Sequence, residues 1–551
     1  MGAATAHGAS VMWTLSGAHV FPVYDAAVGG RETVDLAGGD TMRAQREGPL
    51  RLVDVRHEST AAFAAEATGK LTRTPGLAVV TAGPGVTNTV SAITSAWFNG
   101  SPLVVVGGRS PAGRWGQGAL QELDHPPLVA GVTKQAFTVT EPDDVRAGLD
   151  RAFTEAATPH RGPVFVDIPM DVLFSHGTAG AAATEIPVSE PDPEDVDRIA
   201  GLLSHAHRPV VVLGGDVWAD GAERTARSVV EELGLPVIAN GMGRGVLPRG
   251  HELLVTRARG RAFAGADVVV VVGAPLDFRL GYGTFGGTDG APPAQVVHIA
   301  DSSAQLARHV DLAAAAAGDL SGILAGVADR YGGPSTVDHS DWVAELRAAH
   351  RAAVASDAED LASPADPIHP ARIYGELQPR LADDAVVIGD GGDFVSFAGR
   401  YIEPAAPGNW LDPGPYGCLG TGLGYAMAAR VARPSSQVVL LMGDGAAGFS
   451  LMDVDTLVRH GLPVVMVVGN NRSWALEKHP MNFLYGYDVI ADLNPTRYDE
   501  VVTALGGAGE TVTDPSDIGG ALDRAFAAGV PYLVNVMTDP TIAYPRSTTG
   551  V

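Results

Sequence analysis

The sequence predicts an α/β protein made of three doubly wound parallel-sheet domains, and three observations carry that expectation. The chain has 551 residues, too long for one hydrophobic core and close to the length of three ordinary domains. Short apolar runs such as PVVVLGG (209–215), ADVVVVVG (266–273) and QVVHIA (295–300) alternate with helical patterns, as β-α-β units do. Glycine is abundant, at 69 residues, and aromatic residues are few, at 6%, which suits tight strand-to-helix turns.

The first block runs from residue 1 to about 172. Its first strand is expected in ASVMWTL, with no helix ahead of it, near Ser16-Gly17-Ala18-His19. The run RLVDV leads into Arg56-His57-Glu58 and an Ala-rich helix. LAVVTAGPG opens a helix at Val86-Thr87-Asn88, and PLVVVGG and RGPVFVDIPMDVL supply further strands. HGTAGAAATEIPVSEPDPED is small, polar and proline-containing, as linkers are. The second block, 190–330, places strands at 209–215, 236–240, 266–273 and 295–300. A polar, acidic linker is expected from there through SDAEDLASPADPIHP, and the third block covers 366–551. No short-period repeat is present, and blocks one and three are open to a shared topology.

A net charge of −25 argues against nucleic acid and against anionic membrane surfaces. It leaves room for an acidic ligand, because Arg257, Arg259, Arg261 and Arg279 can make a pocket positive. The single cysteine, Cys418, allows no intrachain disulfide, as a reducing cytoplasm favours. No apolar run approaches the ~20 residues that span a bilayer. MGAATAHGAS lacks the basic and apolar regions of a signal peptide, so a cytoplasmic location is expected.

Chemistry concentrates in 443–471, GDGAAGFSLMDVDTLVRHGLPVVMVVGNN. The strand VVLLM ends at Gly443-Asp444-Gly445, a helical pattern follows, and the strand VVMVVG ends at Asn470-Asn471. Both turns fall at the carboxyl edge of a parallel sheet, where open α/β sheets bind ligands. Asp444 and Asn471 offer hard oxygens and the glycines admit a close anion, a set that suits Mg²⁺ or Ca²⁺ with phosphate oxygens. Asp-Gly and Asn-Asn are also ordinary turn formers, so the spacing decides: 24 residues separate GDG from NN. That arrangement resembles the cofactor motif of thiamine-diphosphate enzymes. The resemblance implies Mg²⁺ held by Asp444, Asn471 and the Ser473 carbonyl. It also implies a diphosphate at Gly443, Gly445 and Ala446, aided by a helix N-terminus.

Residues 51–110 resemble the pyrimidine-binding domain of the same enzymes. There a glutamate at the place of Glu58 hydrogen-bonds the aminopyrimidine ring and activates the cofactor. A carboxyl in an apolar cleft suits proton sharing with a ring nitrogen; the plain alternative is a helix-start carboxylate stabilised by the dipole. In PYGCLGTGLGYA the family usually carries Met where Leu419 stands, as the bulky residue that keeps the cofactor bent; a plain core leucine is the alternative. The order pyrimidine-binding domain, middle domain, diphosphate domain is that of the acetolactate synthase and pyruvate oxidase type. Because Glu58 and Asp444 fall on different domains, the resemblance implies an active site between subunits, in a homodimer at minimum and by expectation a homotetramer.

The loop with His19 is similar to one in benzaldehyde lyase, where histidine handles the substrate hydroxyl proton, a task open to a group with an ordinary pKa of about 6.5. A plain loop histidine is the alternative. Gln121 and Glu122 match a pair that approaches the cofactor in relatives, a solvated helix-start pair being the alternative; Glu477 is a candidate for the substrate cavity, with a surface Glu-Lys-His cluster as the alternative. The middle block and the stretch from 493 onward resemble 2-hydroxyacyl-CoA lyases and oxalyl-CoA decarboxylases, whose middle domain binds ADP. Gly214, Gly215, Arg279 and Asp301 sit at matching strand ends, with Asp301 where a ribose-binding carboxylate is expected. ADP is expected there in preference to FAD or an empty pocket. The expected activity is a carbon–carbon lyase acting on a CoA ester, cleaving a 2-hydroxyacyl-CoA to formyl-CoA and an aldehyde or ketone. The alternatives are a CoA-free acyloin lyase or carboligase such as benzaldehyde lyase, an acetolactate synthase-like enzyme with FAD, and a non-catalytic subunit. The tail after Asp539 is open to a role as a lid.

Overall fold

Val268–Val272 and Val438–Gly443 are near-continuous apolar runs, buried on both faces. That pattern belongs to a parallel sheet covered by helices on both sides. The computed structural model describes residues 1–29, 31–35, 41–45, 48–178, 186, 189–288, 292–332 and 336–544, and the described residues contain three such sheets. The first holds β1 (Val11–Thr14), β4 (Arg51–Asp54), β5 (Gly76–Val80), β6 (Leu103–Arg109), β7 (Gln135–Thr138) and β8 (Pro163–Pro169), in the order β4-β1-β5-β6-β8-β7. An antiparallel hairpin, β2 (Arg31–Asp35) with β3 (Thr41–Gln45), intervenes. The middle sheet holds β9 (Pro209–Leu213), β10 (Val237–Ala239), β11 (Val268–Val272), β12 (Gln295–Ala300) and β13 (Leu312–Ala317), ordered β10-β9-β11-β12-β13. The third holds β14 (Val386–Asp390), β15 (Trp410–Leu411), β16 (Val438–Gly443), β17 (Val465–Asn470), β18 (Ala508–Val512) and β19 (Tyr532–Met537), ordered β15-β14-β16-β17-β19-β18. Counted within their own sheets, the first and third share one order: second, first, third, fourth, sixth, fifth.

Three elements depart from expectation. A helix, Gly2–Ala6, does precede β1, with Ala3 and Ala4 buried; small residues leave little periodic signal. β13 reads LAAAAA, a helix-favouring composition, yet it pairs with β12 from Val296↔Leu312 to Ala300↔Ala317. Part of the second linker folds as Ser340–Ser356, the longest helix among the described residues. Its Trp342 and Leu346 join a core face of the middle sheet, and Trp342 Nε1 donates to the Pro209 carbonyl at 3.1 Å.

The first and third sheets share one apolar core containing Trp13, Phe63, Ile93, Tyr425, Leu440 and Leu457. Helix Glu58–Thr72 lies against helix Thr421–Ala432 so closely that a side chain at Gly424 would meet Phe63, Ala64 and the Thr60 carbonyl. Tyr544 rests edge-on against Phe397 and donates its N–H to Asp393 at 3.1 Å. The rest of the tail considered as a lid, 545–551, lies outside the described residues. Among the described residues no helix is long and apolar enough to cross a membrane.

Candidate active site

β16 delivers Asp444 to the first position of helix Asp444–Ser450. The residue is 2% exposed. Its Oδ1 accepts the Gly445 N–H at 3.0 Å, while Oδ2 is buried with no hydrogen-bond partner. Burial pushes this carboxyl up to about 6, against the pull of backbone N–H groups of Gly445, Arg472 and Ser473. A buried carboxylate with an idle oxygen is costly unless a cation meets it. β17 ends beside it at Asn470, and Asn471 Oδ1 accepts from the Ser473 N–H at 3.1 Å and Oγ at 3.2 Å. Carboxylate and amide oxygens on the wall of one cavity fit Mg²⁺. Gly445 has no room for a side chain, because a Cβ would strike the Trp474 ring.

A cavity of about 550 Å³ brings together Leu419, Gly443, Asp444, Gly445, Ala446 and Asn471, with Ser473 and Glu477 also on its wall. Glu477 is exposed in the first turn of helix Ala475–Tyr485. The turn carrying Leu419 is fastened from below: Asp390, fully buried, accepts the N–H groups of Gly420 at 3.1 Å and Gly422 at 2.8 Å. Burial pushes the Asp390 carboxyl up to about 7, against those same bonds.

Arg244, Arg259 and Arg279 line the same cavity. Arg279 pairs with Asp277 at 2.7 Å. Arg244 donates to the carbonyls of Gly399 at 2.8 Å and Ile402 at 3.1 Å, with Glu403 3.6 Å away. Arg259 donates to the Arg279 carbonyl, and among the described residues it has no carboxylate at ion-pair distance. Burial, then the neighbouring Arg244 and Arg279, lower its pKa. Arg257 and Arg261 are instead paired with Asp357 at 2.5 Å and Glu345 at 2.6 Å.

Glu58, His19, Gln121 and Glu122 lie together in sequence block one, apart from this cavity. Glu58 begins its helix behind the His57 cap, is nearly buried, and accepts from Asn88 Nδ2 at 2.9 Å. His19 is buried with Nδ1 3.0 Å from Thr81 Oγ1. Burial lowers its pKa, with His125 adding and the Leu120 backbone opposing, which favours the neutral ring. Gln121 is held at φ 60° over Gly83. Glu122 turns into its own loop and accepts the N–H groups of Gly116 at 3.1 Å and Ala119 at 3.4 Å. None of Glu58, His19 or Gln121 lines the cavity around Asp444.

A groove of about 820 Å³ runs along the middle sheet's carboxyl edge, with Trp97, Phe98, Gly215, Asp216 and Asp277 on its wall. Asn240, Gly241, Phe278 and Arg279 line both spaces, so groove and cavity adjoin. Gly214 packs too tightly on the Gly273 carbonyl for any side chain. Asp301 is buried and already engaged. His160 Nδ1 lies 3.0 and 3.1 Å from its two oxygens, and Arg161 Nη1 lies 3.5 Å away. Asp216 stands 3.8 Å from the same imidazole. Burial opposes protonation of His160, but Asp216 and Asp301 outweigh it and raise its pKa. Ala300 and Ser302 line the groove, and Asp301 between them does not.

Sequence reading missed Asn88, Asp390, His160, Arg161, Asp216 and Asp453. Asn88 stood inside a quoted motif, so its neighbour Glu58 was the available signal. The partners of the others lie far along the chain, and no local pattern announces them.

Three family profiles match in succession: thiamine pyrophosphate enzyme, N-terminal TPP binding domain, over 2–128; its central domain over 196–327; and its C-terminal TPP binding domain over 390–536. The chain is 49% identical over 549 residues to the probable acetolactate synthase of Mycobacterium bovis, covering 98% of this chain and 95% of that one. The same figures hold for the acetolactate synthase large subunit IlvG of Mycobacterium tuberculosis. It is 33% identical over 574 residues to 2-hydroxyacyl-CoA lyase 2 of Caenorhabditis elegans, covering 95% of this chain and 85% of that one.

Proposed function

Because this chain belongs to the thiamine pyrophosphate, or thiamine diphosphate, enzyme family, we propose that it is a carboligase of the acetolactate synthase type. It would join two 2-oxo acids, such as pyruvate, with loss of CO₂ from the first. This replaces the CoA lyase as the leading reading, because identity to proteins named acetolactate synthase is 49% and to those named lyase 30–33%. The structural observation that carries the substrate class is Arg259, a cation with no carboxylate at ion-pair distance among the described residues, on the wall that also holds Asp444. Each 2-oxo acid brings a carboxylate to such a cation.

The residues fit the cofactor. Asp444, Asn471 and the Ser473 carbonyl would hold Mg²⁺, and Gly443, Gly445 and Ala446 leave backbone free for the diphosphate. Thiamine diphosphate bound there supplies a nucleophilic carbon that adds to a carbonyl and stores the electron pair released on decarboxylation. Leu419 would press on the ring and set its bend. Glu58 would share a proton with a ring nitrogen, and Gln121 would donate a hydrogen bond. Neutral His19 would accept or return a proton at the hydroxyl oxygen. Glu477 would stand at the mouth. Glu58 and Asp444 occupy separate half-sites in one chain, which supports a homodimer, extended to a tetramer, with Glu58 of the partner subunit completing each site.

The 820 Å³ groove has room for an adenine nucleotide, ADP or FAD, with Gly215 and Arg279 at its phosphates. A single cysteine suits the reducing cytoplasm. The lyase remains the second reading, supported by the junction of groove and cavity at Asn240, Gly241, Phe278 and Arg279, where a CoA arm would pass. The test is product analysis after incubation with thiamine diphosphate, Mg²⁺ and pyruvate, in parallel with a 2-hydroxyacyl-CoA. Acetolactate and CO₂ support the carboligase. Formyl-CoA with an aldehyde or ketone, and no acetolactate, moves the protein to the lyase. Neither product removes both readings.

A further inference from the structure

We propose that Asp453 is the positioning residue for Glu58, gripping the chain on both sides of that glutamate. The inference rests on the reading of Glu58 as the group that activates the cofactor. Asp453 Oδ1 accepts the Arg56 N–H at 2.7 Å, and Oδ2 accepts the Thr60 hydroxyl at 2.6 Å. The two bonds fall two residues before and two residues after Glu58. Thr456 Oγ1 donates to Asp453 Oδ1 at 3.0 Å, and Asp453 and Thr60 are 1% and 2% exposed. Around this buried centre lie solvent-facing pairs: Arg56 with Asp455 at 3.1 Å, Arg459 with Asp54 at 2.8 Å and His460 with Asp54 at 2.9 Å. Exposed pairs of that kind contribute little. Buried hydrogen bonds to a carboxylate are short and directional, so the position of the 56–60 turn depends on Asp453.

The placement has a chemical consequence. Asn88 orients the Glu58 carboxyl, whereas Asp453 fixes the backbone from which that side chain springs. A proton-sharing carboxyl must sit within hydrogen-bond reach of its partner nitrogen, and a shift of ~1 Å is enough to cost catalysis heavily. Asp453 also stands on the segment that begins with Asp444, so one chain's metal half-site and its glutamate half-site, which serve different active sites, are tied to consecutive elements.

The test measures exchange of the cofactor C2 proton for deuterium by NMR in full-length protein loaded with thiamine diphosphate and Mg²⁺. Wild type is compared with Asp453→Asn, Thr60→Val and Glu58→Gln, alongside cofactor affinity and melting temperature. Asn keeps the size but loses an acceptor. Asp453→Asn is expected to slow exchange by at least about tenfold, with cofactor affinity within about threefold of wild type. Thr60→Val, the milder variant if Asp453→Asn fails to fold, is expected to slow exchange by a few-fold. Normal exchange in either folded variant, with Glu58→Gln slow, overturns the positioning role and leaves the Glu58 reading intact. Normal exchange in Glu58→Gln overturns both.

Discussion

Asp444 and Asp301 are both carboxylates at the carboxyl ends of parallel strands, and the structure treats them in opposite ways. Asp444 keeps one oxygen buried and idle, and burial lifts its pKa. Asp301 meets His160 and Arg161, both supplied by the first block. The first arrangement leaves negative charge for a ligand to neutralise. The second neutralises it internally and joins two domains. Strand-end position alone therefore does not identify a ligand carboxylate; its remaining charge balance does.

The sharpest way to break the comparison is to exchange charge for amide at each centre. Asp444→Asn is expected to lower turnover by at least about 100-fold, since even an outer partner of a metal site costs 10–100-fold; steady-state kinetics with saturating Mg²⁺ checks it. Glu58→Gln is expected to lower kcat by roughly 100-fold or more while leaving cofactor affinity close to wild type, measured by kinetics and fluorescence titration. Asp301→Asn should act on stability instead. Leaving His160 and Arg161 without their acid is expected to cost about 3 kcal/mol in urea unfolding, with thiamine diphosphate affinity unchanged.

The smallest effect concerns pH and sharpens the contrast with a carboxylate served by N–H groups alone. Asp390 has its pKa raised from 3.8 to about 7. Between those values the folded chain holds a proton that the unfolded chain has released, so this group's contribution to stability falls as pH rises and levels off above about 7. Its slope is at most ~1.4 kcal/mol per pH unit. Asp390→Asn is expected to be less stable overall, through lost bonds to Gly420 and Gly422, but to lose less melting temperature between pH 5 and 7.5.

What the sequence reveals follows the same division. The segment 443–473 was legible because its ligands come from one strand-helix-strand unit with a fixed spacing, and the 550 Å³ cavity gathers them with Leu419. The alternating apolar runs made the three sheets legible as well. β13 was hidden because alanines favour helix until a neighbouring strand pairs with them. The helix Ser340–Ser356 was hidden because mixed charges mask the spacing of Trp342, Val343 and Leu346. The His160–Asp301 cluster and the Asp453–Glu58 grip were invisible because their members are 141 and roughly 400 residues apart, joined only by domain packing.

The most direct test counts bound ligands. Equilibrium dialysis would measure thiamine diphosphate and Mg²⁺ per chain in wild type, Asp444→Asn and Asp301→Asn. The account predicts one of each per chain in wild type and in Asp301→Asn, and neither in Asp444→Asn. Retention of metal and cofactor by Asp444→Asn, or their loss from a folded Asp301→Asn, would contradict it.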